Sequence, residues 1–154
     1  MAELAPGDKA PTFSLLDQAE KTVSLSDFKG RKVLIYFYPK ADTPGCTKQS
    51  CAVSENLAAF SDLNVEAIGM SPDPPAAQAK FDTKFKLGFP LLSDEGHAIA
   101  DAYGVWGEKS MYGNKYMGIV RSAFLVDEKG SIEQAWYKVS PANTVPNVLK
   151  ALKT

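Results

Sequence analysis

The chain has one histidine and two cysteines in 154 residues, too few for the four protein ligands a structural zinc site normally takes. No metal is expected. A histidine-activated cysteine hydrolase would have a single candidate base, His97, which follows Gly96 and reads better as a surface or helix-start residue. No charge sign dominates either: 17 basic and 18 acidic residues give a formal net charge of −1, with lysine and arginine spread along the chain. That is not the basic footprint selected by phosphate backbones or anionic membranes, so nucleic acid is not an expected partner. No apolar stretch approaches the ~20 residues that span a bilayer. Met1–Asp8 lacks the basic start and apolar core of a secretory signal. A cytoplasmic protein, independent of membranes, is therefore expected. Glycine and proline are not in excess, and a 45% hydrophobic, 23% charged composition excludes disordered and fibrous classes. The length suits one domain over residues 1–154, with a core large enough to need no disulfide.

What the chain does have is a cysteine pair in a telling place. Cys46 and Cys51 lie in Pro39-Lys40-Ala41-Asp42-Thr43-Pro44-Gly45-Cys46-Thr47-Lys48-Gln49-Ser50-Cys51, directly after the apolar run Val33–Tyr38. In a reducing compartment such a pair is more often catalytic, redox-sensing or metal-binding than structural. Val33–Tyr38, continuously apolar and rich in aromatic and β-branched residues, predicts a central strand covered on both faces and ended by Pro39. A helix is predicted from about Gly45 to Phe60, because Cys46, Val53, Leu57 and Phe60 recur on one face. Cys46 would then sit in a recess in the first helical turn, where unpaired N–H groups and the helix dipole favour the thiolate, the nucleophilic form. Thr43 can bring a hydroxyl to the sulfur, and Pro39 and Pro44 would fence the pocket.

In an intact helix, Cys51 is rotated about 140° from Cys46 and displaced about 7.5 Å along the axis, which puts the two Cα atoms about 8.6 Å apart. Disulfides usually need roughly 4.4–6.8 Å. The two thiols can join only if the helix unwinds at one end. A cycle follows in which Cys46 is oxidised in the folded state and Cys51 then condenses with its sulfenic acid.

The rest of the chain alternates. Phe13–Leu16 and Thr22–Leu25 read as a short hairpin, followed by a brief helical turn at Ser26–Phe28. Val65–Met70 is a second buried strand, Ala76–Phe85 a helix, Pro90–Leu92 a short strand and Glu95–Tyr103 a short helix stopping at Gly104. Gly104–Val120, glycine-punctuated and aromatic, reads as a partly extended loop, with Trp106 and its neighbouring tyrosines serving only to pack. Trp136 is given the same packing role. Arg121–Val126 and Ile132–Val139 are strands joined at Asp127–Gly130. Val145, Val148, Leu149 and Leu152 make the inner face of a last helix with Thr144 at its N-cap. This order predicts an α/β fold with a central mixed sheet flanked by helices.

Cysteines in a helix are by default buried packing, and an arginine at a strand end is by default a surface charge. Thr-Pro-Gly immediately before Cys46 reverses the first default. Arg121 would escape the second only if the fold set it beside the thiolate, where a permanent cation could also hold an oxygen ligand. Two other readings compete. A thiol-disulfide oxidoreductase normally carries Cys-x-x-Cys, absent here. A redox switch without turnover would use the same oxidation and unwinding as an enzyme.

From Gly7-Asp8-Lys9-Ala10-Pro11-Thr12-Phe13, through Tyr36-Phe37-Tyr38-Pro39-Lys40, Thr43-Pro44-Gly45-Cys46-Thr47 and Gly104-Val105-Trp106-Gly107-Glu108-Lys109, to Arg121–Asp127, the chain resembles the peroxiredoxins. Within them it is most similar to the peroxiredoxin Q group, also called bacterioferritin comigratory proteins, marked by a second cysteine five residues after the first. The resemblance implies a thioredoxin-like fold and a cofactor-free peroxidase for hydrogen peroxide and organic hydroperoxides. It makes Cys46 the peroxidatic residue and Cys51 the resolving one, with the disulfide reduced by thioredoxin or a similar dithiol protein. Thr43 and Arg121 would position the peroxide and stabilise charge as the O–O bond breaks, and Pro39 would shield the sulfur. Because resolution within one chain removes the need for a dimer, a monomer is expected. Two departures stand out: Gln49 where many relatives carry Glu, expected to weaken a polar contact near the pocket, and Ser54-Glu55 in place of Arg-Asp, in the helix that must unwind.

Overall fold

The apolar run from Val33 becomes an interior strand of the sheet, paired along both edges. In the computed structural model, which describes residues 3–152 except the side chain of Met111, the elements run in chain order as follows. Strands β1 (Ser14–Leu16) and β2 (Thr22–Ser24) form the expected antiparallel hairpin, and a 3-10 turn over Leu25–Phe28 leads to β3 (Lys32–Phe37). Helices α1 (Pro44–Glu55) and α2 (Leu57–Asp62), strand β4 (Val65–Ser71), helix α3 (Pro75–Phe85), strand β5 (Leu91–Ser93) and helix α4 (Ala98–Ala102) follow. The chain continues through β6 (Trp106–Met111), β7 (Asn114–Ile119), β8 (Ser122–Val126), β9 (Ile132–Trp136) and α5 (Thr144–Leu152). Met1, Ala2, Lys153 and Thr154, the ends of the predicted 1–154 domain and the start of the segment read as lacking a signal, lie outside the described residues. Among the described residues no helix is long and apolar enough to cross a membrane.

Seven strands make one mixed sheet in the order β2-β1-β5-β4-β3-β8-β9. β3 pairs in parallel with β4 and antiparallel with β8, so Ile35 stands between Ile68 and Phe124. Alternation along β3 and into Tyr38 divides its side chains between two cores. Leu34, Tyr36 and Tyr38 face Cys46 and Val53 of α1, Phe60 of α2, Phe81 of α3 and Val145 and Val148 of α5. Val33, Ile35 and Phe37 face Phe13, Ala100, Tyr103 and Phe124. Both faces are covered, which is why the strand carries no polar alternation. Close fit continues sideways. Gly69 lies opposite Tyr36, and a Cβ there would sit 2.9 Å from the Tyr36 hydroxyl and 3.0 Å from Leu91 Cδ2, so only glycine leaves the ring its place.

Four expectations need correction. The helix predicted over 45–60 is two helices, broken at Asn56 (φ −111°, ψ 11°), whose side-chain amide donates to the Ala52 carbonyl at 2.8 Å and competes with the helical ladder. The helix predicted over 95–103 shrinks to Ala98–Ala102, because His97 at φ 51° is left-handed and Asp94 accepts from the Ile99 and Ala100 N–H groups at the true start. Gly104–Val120 is no loop: β6 and β7 pair as a two-stranded ribbon from Trp106–Ile119 to Met111–Asn114, turning at Tyr112 and Gly113, both at positive φ. The tyrosines from 103 to 116 do not all pack, since Tyr103 is buried but Tyr112 is 97% exposed. Thr144 is not an N-cap; it is the first residue of α5, fully buried, and its hydroxyl donates to the Ser140 carbonyl at 2.9 Å.

Candidate active site

The connection from β3 to α1 brings the predicted site residues to one edge of the sheet. Pro39 follows the buried Tyr38 and is half-buried where the strand stops. Thr43 is extended (φ −107°, ψ 156°) and hands the chain to Pro44, whose fixed φ suits a first helical position. The Thr43 carbonyl accepts the Thr47 N–H at 2.8 Å, so the helix begins one residue before the predicted Gly45. Its hydroxyl donates to the Lys40 carbonyl at 2.8 Å. That uses the hydroxyl proton and leaves the oxygen as an acceptor.

Cys46 falls in the first turn of α1 and is 1% exposed. Its free thiol is embedded in the helix-side core with Tyr36 and Val53. Cys51, also a free thiol, is half-buried on the same unbroken helix. Burial pushes its thiol up, and the Glu55 carboxylate one turn on pushes it the same way.

Arg121, 75 residues beyond Cys46 in the chain, comes to the helix start. A Cβ on Gly45 would stand only 3.1 Å from Arg121 Nη2 and 3.5 Å from Pro141 Cγ, so the guanidinium lies directly over the backbone preceding the thiol. Glycine makes that approach possible. The other guanidinium nitrogen, Nη1, donates to Gln49 Oε1 at 2.8 Å, and Gln49 Nε2 donates to Thr144 Oγ1 at 2.8 Å. The expected weakening at Gln49 therefore does not take the form of a missing bond: the amide is fully buried and bonded at both ends.

Two groups at this edge lie within the motifs of the resemblance but have nothing in the sequence to mark them as neighbours of the thiols. Tyr36 on β3 pairs its hydroxyl with Ser50 Oγ at 2.7 Å under α1. Burial pushes the phenol far up, against a smaller downward pull from the Ser50 bond, so it remains neutral; Cys46, Cys51 and Arg121 all lie within electrostatic reach of it. Lys109 on β6 is a half-buried second cation, pushed down by burial first and by Arg121 second, and pulled up by Cys46. His97, by contrast, is structural. It stacks on Trp106 with ring centroids 3.8 Å apart and bonds Asp101 at 2.8 Å.

A thiol at a helix start, a guanidinium over that start and a second thiol held apart by an intact helix can support oxidation of the first thiol followed by capture. Sheet architecture and thiol placement together make this a thioredoxin-like redox protein. Comparison with known proteins narrows the class. The AhpC/TSA family model matches residues 6–135. The chain is 51% identical over 138 residues to the putative peroxiredoxin bcp of Haemophilus influenzae, covering 90% of this chain and 89% of that one. It is 46% identical over 153 residues to peroxiredoxin Bcp of Escherichia coli, covering 99% and 98%. Among solved structures, the Xanthomonas campestris bacterioferritin comigratory protein, described for its alkyl peroxide reduction activity, superposes with a TM-score of 0.88 at 34% identity over 99% of this chain and 96% of that one. The chain belongs to the AhpC/TSA family of peroxiredoxins and is a thiol peroxidase, an enzyme that reduces hydroperoxides at the expense of a thiol.

Proposed function

We propose that Cys46 is the peroxidatic thiol of a single-domain, monomeric, cytoplasmic enzyme, that Cys51 resolves it within the same chain, and that thioredoxin or a similar dithiol protein returns both to thiols. The observation that carries this reading is the meeting of Cys46 and Arg121 across the start of α1, through Gly45. The Cys46 thiolate attacks the terminal oxygen of the hydroperoxide. The S–O bond forms as O–O breaks, and the departing oxygen leaves, with a proton, as water or an alcohol. Arg121 holds the peroxide oxygens and offsets the negative charge that grows on them. Thr43, its own proton engaged by Lys40, accepts a hydrogen bond from the hydroperoxide O–H. Pro39 keeps water from the sulfur.

Cys46 is now a sulfenic acid in a buried site, and Cys51 is held away by the helix that carries both. α1 unwinds, the Cys51 sulfur attacks Cys46, and hydroxide leaves as water after taking a proton, forming the disulfide. An external dithiol reduces it by exchange and is itself oxidised. The alkyl peroxide activity named for the Xanthomonas relative supports organic hydroperoxides beside hydrogen peroxide as substrates.

Steady-state peroxide consumption with thioredoxin, thioredoxin reductase and NADPH tests the scheme. Cys46→Ser is expected to abolish turnover. Cys51→Ser is expected to consume one equivalent of peroxide and then require a small thiol to continue. Turnover in Cys46→Ser equal to that of the native chain refutes the assignment. Turnover with dithiothreitol but not with thioredoxin leaves the peroxidase in place and replaces its reductant.

A further inference from the structure

The hydrogen bonds behind Arg121 have only one consistent direction. A guanidinium donates and never accepts, so the Gln49 atom 2.8 Å from Nη1 must be the carbonyl oxygen. The amide NH2 then faces Thr144 Oγ1 at 2.8 Å, which must accept. The Thr144 proton goes to the Ser140 carbonyl at 2.9 Å. Gln49 and Thr144 are both fully buried, so water does not offer alternative partners. The same segment holds Arg121 from the other side, since the Val139 N–H donates to the Arg121 carbonyl at 2.9 Å and Pro141 Cγ packs at 3.5 Å from the Cβ position of Gly45.

We propose that Thr144, at the start of the C-terminal helix, is a positioning residue for peroxide reduction: acting through Gln49, it fixes the guanidinium of Arg121 over the backbone that precedes Cys46. The inference rests on the reading of Arg121 as the group that holds the peroxide. Gln49 accepts only one arrangement because its NH2 has an acceptor at Thr144. Without that acceptor the oxygen still faces Arg121, because a turned amide would set donor against donor, but the buried NH2 loses its partner and the side chain is free to shift and carry the guanidinium with it. A carboxylate at position 49 would need no such orientation. The dependence on Thr144 is thus a consequence of the amide this chain carries.

The test is a double-mutant cycle on the second-order rate of Cys46 oxidation by hydrogen peroxide, followed by stopped-flow fluorescence in the full chain. Thr144→Val, similar in volume but without the hydroxyl, is expected to slow oxidation about tenfold, the scale for losing one buried partner. Thr144→Ser, which keeps the hydroxyl, is expected to restore the native rate. In an Arg121→Met background, Thr144→Val should change the rate less than twofold. Equal slowing by Val and Ser, or slowing by Val that persists without Arg121, overturns the relay and makes Thr144 a packing residue. If Arg121→Met alone leaves the rate unchanged, the reading of Arg121 fails first and the relay with it. Should Thr144→Val not fold, Thr144→Ala takes its place with the same outcomes.

Discussion

Replacing Tyr36 by Phe should make the enzyme resolve faster while leaving its first chemical step intact. The Tyr36 hydroxyl and Ser50 Oγ are paired at 2.7 Å beneath α1, both buried. Removing one partner strands the Ser50 hydroxyl in the folded state, a loss of about 1–3 kcal/mol. Unwinding releases Ser50 to water, so the substitution raises the folded state relative to the unwound one. Unwinding is thereby favoured, and at about 1.4 kcal/mol per factor of ten the population of unwound α1 should rise roughly 5- to 150-fold. Disulfide formation after a single peroxide pulse should accelerate within that range as long as unwinding limits it. Irreversible overoxidation of Cys46 at high peroxide should fall, because the sulfenic acid spends less time exposed to a second peroxide. Amide exchange over residues 44–55 reads the opening directly. An unchanged exchange rate there would refute the idea that this bond latches the helix; faster exchange with an unchanged rate of disulfide formation would show instead that unwinding does not limit resolution.

Other outcomes follow from the same geometry. Arg121→Met should lower the rate constant for Cys46 oxidation by about 10²–10³, the scale for losing a fixed donor to developing oxyanion charge, with little change in disulfide formation once the sulfenic acid exists. Gly45→Ala should push the guanidinium from its place 3.1 Å from the new methyl and slow oxidation at nearly native melting temperature, which parallel kinetics and calorimetry will show. Gly69→Ala is the converse, an overpacking of β4 against Tyr36 and Leu91 expected to cost about 1–3 kcal/mol in chemical denaturation. In Cys46→Ser protein, alkylation of Cys51 should rise only above the pH at which an ordinary thiol ionises, because burial and then Glu55 disfavour its thiolate. Glu55→Gln should move that profile downward, and a profile unmoved by it removes Glu55 as a cause.

The alternating order of buried strands and helices, the break after β3 and the helix bearing both cysteines could all be read along the chain, because each depends on residues within a few positions of one another. What failed was decided elsewhere. The β6–β7 ribbon was obscured because β7 is largely exposed and lacks an apolar face, and because tyrosine at positive φ is not a recognised turn signal. The apolar spacing of Cys46, Val53, Leu57 and Phe60 runs straight through Asn56 and predicts one helix, whereas the Asn56 side chain ends α1. Arg121 was legible as a residue but not as a neighbour, since only the pairing of β8 with β3 brings it to Gly45. Gln49 was visible as a departure, yet its partner Thr144 lies 95 positions away. Thr144 carries the same letter whether it caps a helix or anchors a buried amide.

The break at Asn56 sets how far a disturbance in α1 can spread. Helical hydrogen bonds link each turn to the next, so a single continuous rod from residue 44 to 62 would transmit fraying at one end into the other. Here the rod is interrupted. α2 has its own first bond, Phe60 N–H to the Asn56 carbonyl at 3.0 Å, and its own anchor in Phe60, which is fully buried. The interruption works as a firebreak: α1 can lose its helical ladder while α2 stays docked on β4. On the proposed cycle, the part that unwinds is bounded by β3 on one side and Asn56 on the other, so the dozen residues of α1 would melt and re-form without putting the sheet at risk.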